Sequence, residues 1–169
     1  MKQQSRRMAV CGMTVALGVV LMVLGAILEL GMYVCPMFVG LFLIPIGNKW
    51  GVKYHLLLWA AISLLCLMLV SNLEQNLMFL CLFGWYPALR PRLQRLPRLP
   101  RLLVKLALFN AIVIAIETLL ILVLVPEAMG TALTVILLAL GNVTFLLYDF
   151  AIPRFAWLAD KHLKKIFKD

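Results

Sequence analysis

The feature that most constrains this chain is a series of long apolar runs separated by short polar segments. Of its 169 residues, 64% are hydrophobic and 14% are charged, and the mean hydropathy is +1.04. A soluble domain carries about 45–50% apolar and about 25% charged residues. The chain therefore lacks the polar residues that would cover a globular core, and its apolar residues must face lipid.

Six of the apolar runs are candidates for membrane-spanning helices. They predict a single all-α membrane domain, a compact bundle of six transmembrane helices. A perpendicular span needs about 20 apolar residues, so the second and fourth runs are short, and Pro36, Pro45 and Pro87 near their ends favour irregular, broken helices. The runs are residues 8–28, 34–47, 54–70, 77–89, 102–125 and 132–152.

The charges are distributed unequally between the two sides of this bundle. Alternate threading of six spans places all 16 Lys and Arg residues on one side, together with both chain ends. The connections on the other side carry Glu29, Glu74 and Glu127 instead. Because basic residues resist translocation, positively charged short loops mark the cytoplasmic side. The pattern predicts a multi-pass protein of the bacterial plasma (inner) membrane with cytoplasmic N- and C-termini.

The most distinctive segment on the basic side is residues 90–101, in which Arg, Leu and Pro recur about every three residues. Its three prolines predict that no regular helix passes through it. The leucines can insert into the membrane interface while Arg92, Arg95 and Arg98 contact lipid phosphates. Attraction to anionic headgroups is worth about 1 kcal/mol for each basic residue near the surface. The segment is either a topology determinant on the bilayer or a docking surface for a partner. A second basic segment, the tail 153–169, ends the sequence.

The sequence contains none of the residue clusters that carry catalysis or hold a cofactor. A phosphate-binding glycine loop, HExxH and GxSxG are all missing from it. We interpret the two histidines, His55 and His162, as an interfacial and a solvated residue. The four cysteines lie in apolar runs without CxxC spacing and are expected to pack as small hydrophobes. We predict a protein that is not an enzyme and that uses no metal, cofactor or nucleic acid.

Polar side chains inside the last two spans are the candidates for ligand binding. Ionisable residues at the centre of a bilayer cost at least about 2.5–3.5 kcal/mol, so each needs a reason. Asn110 and Glu117 are seven residues apart in the fifth span, and Asn142 and Asp149 are seven apart in the sixth. Each pair therefore lies on one helix face, and two neighbouring helices can line one cleft. Glu117 is the best candidate for a ligand-facing group.

Each of these residues also has a structural interpretation. The two asparagines can join one helix to the next by hydrogen bonds worth about 0.6 kcal/mol each. Glu117 has no basic residue at its depth and can instead be a neutral acid satisfied by Asn or Thr. Asp149 is expected to form an ion pair with Arg154 or Lys105 near the cytoplasmic end.

Two short connections on the outer side complete the candidate binding site. Residues 29–33 join the first two spans, and residues 71–76 join the third and fourth. They can cap a cavity that opens outward, with Tyr33 and Asn76 as stacking or polar contacts. The alternative is that both are ordinary polar connectors.

The whole pattern resembles the substrate-binding S components of energy-coupling-factor (ECF) vitamin transporters. The resemblance rests on the short basic N-terminus, six spans within 169 residues, cytoplasmic ends and a compact second span. The opening segment 6–17, RRMAVCGMTVAL, is similar to the start of that family. The family meets its transmembrane coupling subunit through small residues of the first helix, and the matching positions here are Gly12 and Ala16.

This resemblance implies a subunit without catalysis of its own. It would hold a vitamin-like small molecule near the outer face and depend on a coupling subunit with ATP-binding subunits. The competing hypothesis is a non-catalytic structural or assembly subunit of a larger membrane complex. Small size, polar-poor spans and the arginine-rich segment are sufficient for that role.

Accessibility labelling tests the predicted topology. In single-cysteine variants, Lys49→Cys and Arg95→Cys are expected to react with an impermeant maleimide only from the cytoplasmic side. Glu74→Cys should react only from the opposite side, because an odd number of spans separates it from the other two. Labelling of Lys49→Cys and Arg95→Cys from different sides would show that the helix count is wrong.

Overall fold

A computed structural model describes residues 2–28, 31–123 and 131–166, and all regular secondary structure in these ranges is helical. By length and composition, three helices in these ranges can cross a membrane, and one more is a shorter apolar helix. The all-helical prediction is confirmed, and the helices accommodate six spans. The elements are α1 (Lys2–Ile27), α2 (Val34–Trp50), α3 (Val52–Leu69), α4 (Leu73–Met78), a π-helical turn (Phe79–Phe83), α5 (Tyr86–Leu93), α6 (Arg98–Val123) and α7 (Thr131–Ile166).

The fourth predicted span, 77–89, is irregular, as its short length indicated. α4, the π-helical turn and α5 follow one another with only Gly84 and Trp85 in between, and both of these residues keep right-handed helical backbone angles. Pro87 lies at the start of α5, where its missing N–H removes no helical hydrogen bond. The span is thus a helical segment over residues 73–93 whose regular α-helix is interrupted by the π-helical turn and by Gly84 and Trp85.

The second run forms a continuous helix, α2, in spite of Pro45 within it. The irregularity expected there is confined to the one hydrogen bond that a proline cannot donate. A single residue, Gly51, separates α2 from α3, and its φ of 97° lies in the region that favours glycine. This turn makes α2 and α3 antiparallel neighbours.

The arginine-rich segment is more helical than predicted. The expected loop 90–101 narrows to residues 94–97, because α5 continues to Leu93 and α6 begins at Arg98. Pro100 falls in the first turn of α6, where a helix tolerates proline because the backbone N–H is unused. Pro91 lies within α5 and Pro97 in the connection, so the helices are interrupted at one point instead of being excluded from the whole segment.

The last helix, α7, also extends beyond its predicted limit. It continues from the predicted span into the basic tail as far as Ile166, with Pro153 inside it. Glu29 and Glu127, two of the expected outer charges, lie outside the described residues. The side chains of the tail are described only as far as Lys161.

The helices pack closely where glycines remove side chains from a crossing. A Cβ on Gly18 would meet Ile62 and Val39, and a Cβ on Gly25 would meet Cys35. The closest approach to the backbone of another element is at Gly40, where the backbone oxygen of Phe83 and the hydroxyl of Tyr148 occupy the space of a side chain. α2 thereby touches both the π-helical turn and α7.

Substitution of Gly40 tests this crossing. We expect Gly40→Ala to lower the free energy of unfolding by about 1–3 kcal/mol, because the added methyl group overlaps backbone atoms that cannot move aside. Gly12→Ala is the matched control, since no atom lies within 4 Å of its Cβ position. That variant should be as stable as the parent or more stable, and thermal unfolding in detergent measures both. Equal melting temperatures for the two variants would contradict the packing.

Candidate functional site

One end of the bundle, which we call the acidic end, brings together Tyr33, Glu74 and Glu117. The Tyr33 hydroxyl donates a hydrogen bond to the Glu74 carboxylate. Partial burial, this bond and the negative charges of Glu74 and Glu117 raise the pKa of Tyr33, so its phenol remains a protonated donor. Tyr33 and Glu117, predicted from different parts of the sequence, therefore belong to one cluster. Its third member, Glu74, was expected only as a loop charge.

Glu117 is half-buried on α6. The residues expected to satisfy it bond elsewhere, because the Thr118 hydroxyl donates to the backbone oxygen of Ile114 at 2.7 Å, and the Asn110 amide binds another asparagine. The cations Arg90 and Lys105 bind Asp149 and not Glu117. Glu117 therefore keeps its place as a candidate for contact with a ligand.

Next to Glu74, helix α4 buries two amide side chains, Gln75 and Asn76, which are 0% and 3% exposed. The Gln75 amide donates to the backbone oxygen of Met22 at 2.8 Å, and the Asn76 amide donates to those of Cys66 and Val70 at 3.2 and 2.9 Å. The amide oxygens of both side chains are buried, and no hydrogen-bond donor of the described residues reaches them. Such an atom costs about 1–3 kcal/mol until a donor satisfies it. Asn76 was predicted from the sequence, whereas Gln75 was not.

The two asparagines of the predicted cleft, Asn110 and Asn142, pair with each other between α6 and α7. Each amide nitrogen donates to the amide oxygen of the other, at 3.0 and 2.9 Å. Each also donates to the backbone oxygen one turn earlier in its own helix, at 2.8 Å. Phe109 stacks on Phe145 in the same interface, with ring centroids 4.8 Å apart. Since the amide N–H groups are all engaged, this geometry favours the structural interpretation, a clamp between two helices.

At the opposite end, Asp149 forms an ion cluster that joins α5, α6 and α7. Its carboxylate lies 2.5 Å from the Lys105 ammonium and 2.9 Å from Arg90 Nε, and it accepts a hydrogen bond from the Tyr86 hydroxyl at 2.7 Å. The predicted ion pair with Lys105 is confirmed. Arg154, the other expected partner, instead lies over the Phe150 ring.

The cluster holds two positive groups and one negative group, and the Lys105 side chain is 6% exposed. A buried ion keeps its charge only where an opposite charge and hydrogen bonds replace its water. Asp149 therefore has a structural role. The polar residues predicted to line one cleft therefore form three separate groups along α6 and α7: the Asp149 cluster, the asparagine pair and Glu117. Successive groups lie about 10 Å apart or less along the helix axis.

His55 is a residue whose role the sequence did not reveal. It is 2% exposed, so the expectation of an interfacial side chain is wrong. Its Nδ1 lies 3.2 Å from the backbone oxygen of Leu43, and its Nε2 lies 2.8 Å from that of Gly84. The imidazole thus joins α2, α3 and the start of α5. The sequence does contain an indication of this burial. His55 precedes Leu58 and Ile62, both buried, by three and seven residues, and this spacing places it on the inner face of α3.

The residues predicted to meet partners lie on exposed surfaces. Gly12 and Ala16 are on the outer face of α1. Arg92, Arg95 and Arg98 are exposed around the connection 94–97, and neither described ion pair includes them. Both surfaces are accessible to another molecule, and neither is occupied by the described part of this chain.

Comparison of the chain with protein-family models, with curated proteins and with solved structures gives no match. The described residues contain no group of three or more His, Cys, Asp or Glu side chains that could hold a metal ion. The fold and site therefore define only a class: an all-helical bundle with apolar helices of membrane-spanning length and a polar cluster at its acidic end.

Loss of the central charge of the ion cluster tests its structural role. We expect Asp149→Asn to lower the free energy of unfolding by about 3 kcal/mol, because Lys105 stays buried without an anion. Arg95→Gln, which removes an exposed charge outside the cluster, should change it by less than about 0.5 kcal/mol. Denaturation in detergent micelles compares the variants. The double variant Lys105→Met, Asp149→Leu should recover part of the loss, and equal stability of Asp149→Asn and the parent would contradict the role.

Proposed function

We propose that this chain is the membrane-embedded substrate-binding subunit of an ECF-type uptake transporter. In this proposal it lies in the bacterial plasma membrane with its basic end and both termini in the cytoplasm. A vitamin-like small molecule binds at the acidic end. The sequence resemblance to S components motivates the assignment, and the polar cluster at the acidic end supports it.

The observation that carries the proposal is the set of unsatisfied polar groups around α4. Glu74 and Glu117 have no basic partner among the described ion pairs, and the adjacent Gln75 and Asn76 each bury an amide oxygen that lacks a donor. A bound molecule with N–H or O–H groups, or with a positive charge, would complement these acceptors. The Tyr33 hydroxyl donates its one hydrogen to Glu74, so its oxygen adds a further acceptor in the same place.

Transport requires partners, and the exposed surfaces are suited to them. The small side chains of Gly12 and Ala16 would let a helix of a coupling subunit approach α1 closely within the bilayer. The exposed Arg92, Arg95 and Arg98 would face the cytoplasm, where ATP-binding subunits act. The protein itself would be non-enzymatic, and the energy for transport would come from those subunits.

A second function, a structural or assembly subunit of a larger membrane complex, is favoured by one observation. The Asn110–Asn142 pair and the Asp149 cluster engage the polar residues of α6 and α7 in helix packing, not in lining a cleft. A structural subunit needs such packing and no ligand. The two functions therefore differ in whether the acidic end binds a small molecule.

Thermal unfolding in the presence of water-soluble vitamins separates the two functions. We expect one vitamin to raise the melting temperature of the parent protein, because a ligand that binds only the folded state stabilises it. Glu117→Gln and Tyr33→Phe should reduce this shift by more than half while the unliganded proteins melt close to the parent. Thr118→Val, next to Glu117, is the matched control and should keep the full shift.

Asn142→Ala refines the same experiment. The sequence places Asn142 in the binding site, whereas the geometry places it in the helix clamp. A lower starting melting temperature with an unchanged vitamin shift would assign it to the clamp. If no vitamin stabilises the parent, or if Glu117→Gln and Tyr33→Phe both retain the full shift, the proposed binding site is wrong.

A further inference from the structure

A groove of about 800 Å³ lies between α2 and the second half of α7. Its volume is within the range of about 300–1,000 Å³ that is typical of ligand sites. Its walls are apolar, with Phe38 and Leu41 on one side and Phe150 and Trp157 on the other. The one charged residue among those that line it is Arg154.

Arg154 is a cation without an anion among the described residues. Its guanidinium carbon lies 4.2 Å from the centroid of the Phe150 ring, and its side chain is exposed. Asp149, the nearest acidic residue in sequence, is already bound by Lys105 and Arg90. Stacking on an aromatic ring engages the face of a guanidinium and leaves its edge N–H groups directed outward. Those N–H groups match two oxygens of a phosphate.

The same surface carries a second cation farther along α7. Lys161 Nζ lies 5.3 Å from the centroid of the Trp157 ring, which is 65% exposed. Basic residues beside an exposed tryptophan are characteristic of helices at the boundary between lipid headgroups and acyl chains. The sequence continues the basic character of this helix with Lys164 and Lys165.

We propose that this groove binds one anionic phospholipid. An acyl chain lies along the apolar wall, the phosphate accepts hydrogen bonds from the edge of Arg154, and Lys161 adds a second positive charge. A lipid complements both parts of the groove, whereas a free phosphate would leave the walls formed by Phe38 and Trp157 uncovered. The site is separate from the acidic end and does not depend on the transport proposal.

Quenching of Trp157 fluorescence by brominated phospholipids tests the site in the full chain. The protein is reconstituted in nanodiscs with increasing fractions of brominated phosphatidylglycerol or brominated phosphatidylcholine. The contribution of Trp157 is obtained by subtraction of the Trp157→Phe variant. We expect half-maximal quenching at an about five-fold lower fraction of the anionic lipid, which corresponds to about one basic contact near the surface.

Substitutions of arginine distinguish a specific site from general surface charge. Arg154→Gln should abolish the five-fold preference, and Arg154→Lys should retain part of it because the charge remains. Arg7→Gln removes an exposed arginine of α1, outside the groove, and should keep the full preference. Lys53→Gln, at the start of α3, serves as a second control of the same kind.

Three results would overturn the proposal. The first is equal quenching by the two brominated lipids in the parent protein. The second is an equal loss of preference in Arg154→Gln and Arg7→Gln, which would indicate only a diffuse attraction to the surface. The third is relief of quenching by millimolar glycerol phosphate, which would indicate a soluble phosphate compound as the ligand.

Discussion

The carboxylate of Asp149 holds the second half of this structure together. Two helices supply its partners: α5 contributes Tyr86 and Arg90, which are one turn apart, and α6 contributes Lys105. Because a buried cation tolerates little displacement from its counter-ion, the cluster fixes the register of these helices against one another. The aromatic contacts of Tyr86 with Phe145, at 5.0 Å, depend on that register. Because Arg90 and Lys105 already bind Asp149, Arg154 has no carboxylate partner among the described residues.

The polar residues of the bundle separate into those that the protein satisfies internally and those that it leaves open. Asn110 and Asn142 complete each other's hydrogen bonds, and His55 lies between two backbone oxygens. Around α4 the balance is different, since Gln75 and Asn76 bury oxygens that no protein donor reaches. The acidic end is therefore the better candidate for a binding site. The sequence alone also predicts binding residues between α6 and α7, where the structure uses them for helix packing.

The sequence predicts the helices well because the apolar runs are long and the physical requirement behind them is local. It also predicts the Asp149–Lys105 pair, since both residues lie near the same end of adjacent spans. The sequence does not predict contacts that depend on how each helix is rotated about its axis. Arg90 and Arg154 both lie near the cytoplasmic end of the predicted bundle, as Asp149 does, and only the packed structure shows that Arg90 is the partner. The same limit applies to His55, whose burial depends on contacts with two other elements.

Prolines were a second source of error, for a different reason. Proline disrupts a helix through its missing N–H, but the first turn of a helix has no use for that group. The arginine-rich segment, residues 90–101, is predicted to be a loop through which no regular helix passes. The helices do break there, at residues 94–97, but Pro100 lies in such a first turn and α6 begins at Arg98. The proline content of the segment predicts where the helices break. The number of non-helical residues depends on where each proline lies within its helix.

The π-helical turn at Phe79–Phe83 has a consequence for how this chain can change over evolution. A π-helical turn is equivalent to one extra residue in an α-helix, and here the oxygens of Phe83 and Gly84 accept bonds from Tyr148 and His55 of other helices. A deletion of one residue would replace the wide turn by an α-helical one and move the oxygens of Phe83 and Gly84 relative to the Tyr148 hydroxyl and the His55 ring. These two hydrogen bonds between helices would then break. Single-residue deletions in this stretch should be far rarer among descendants of this gene than substitutions.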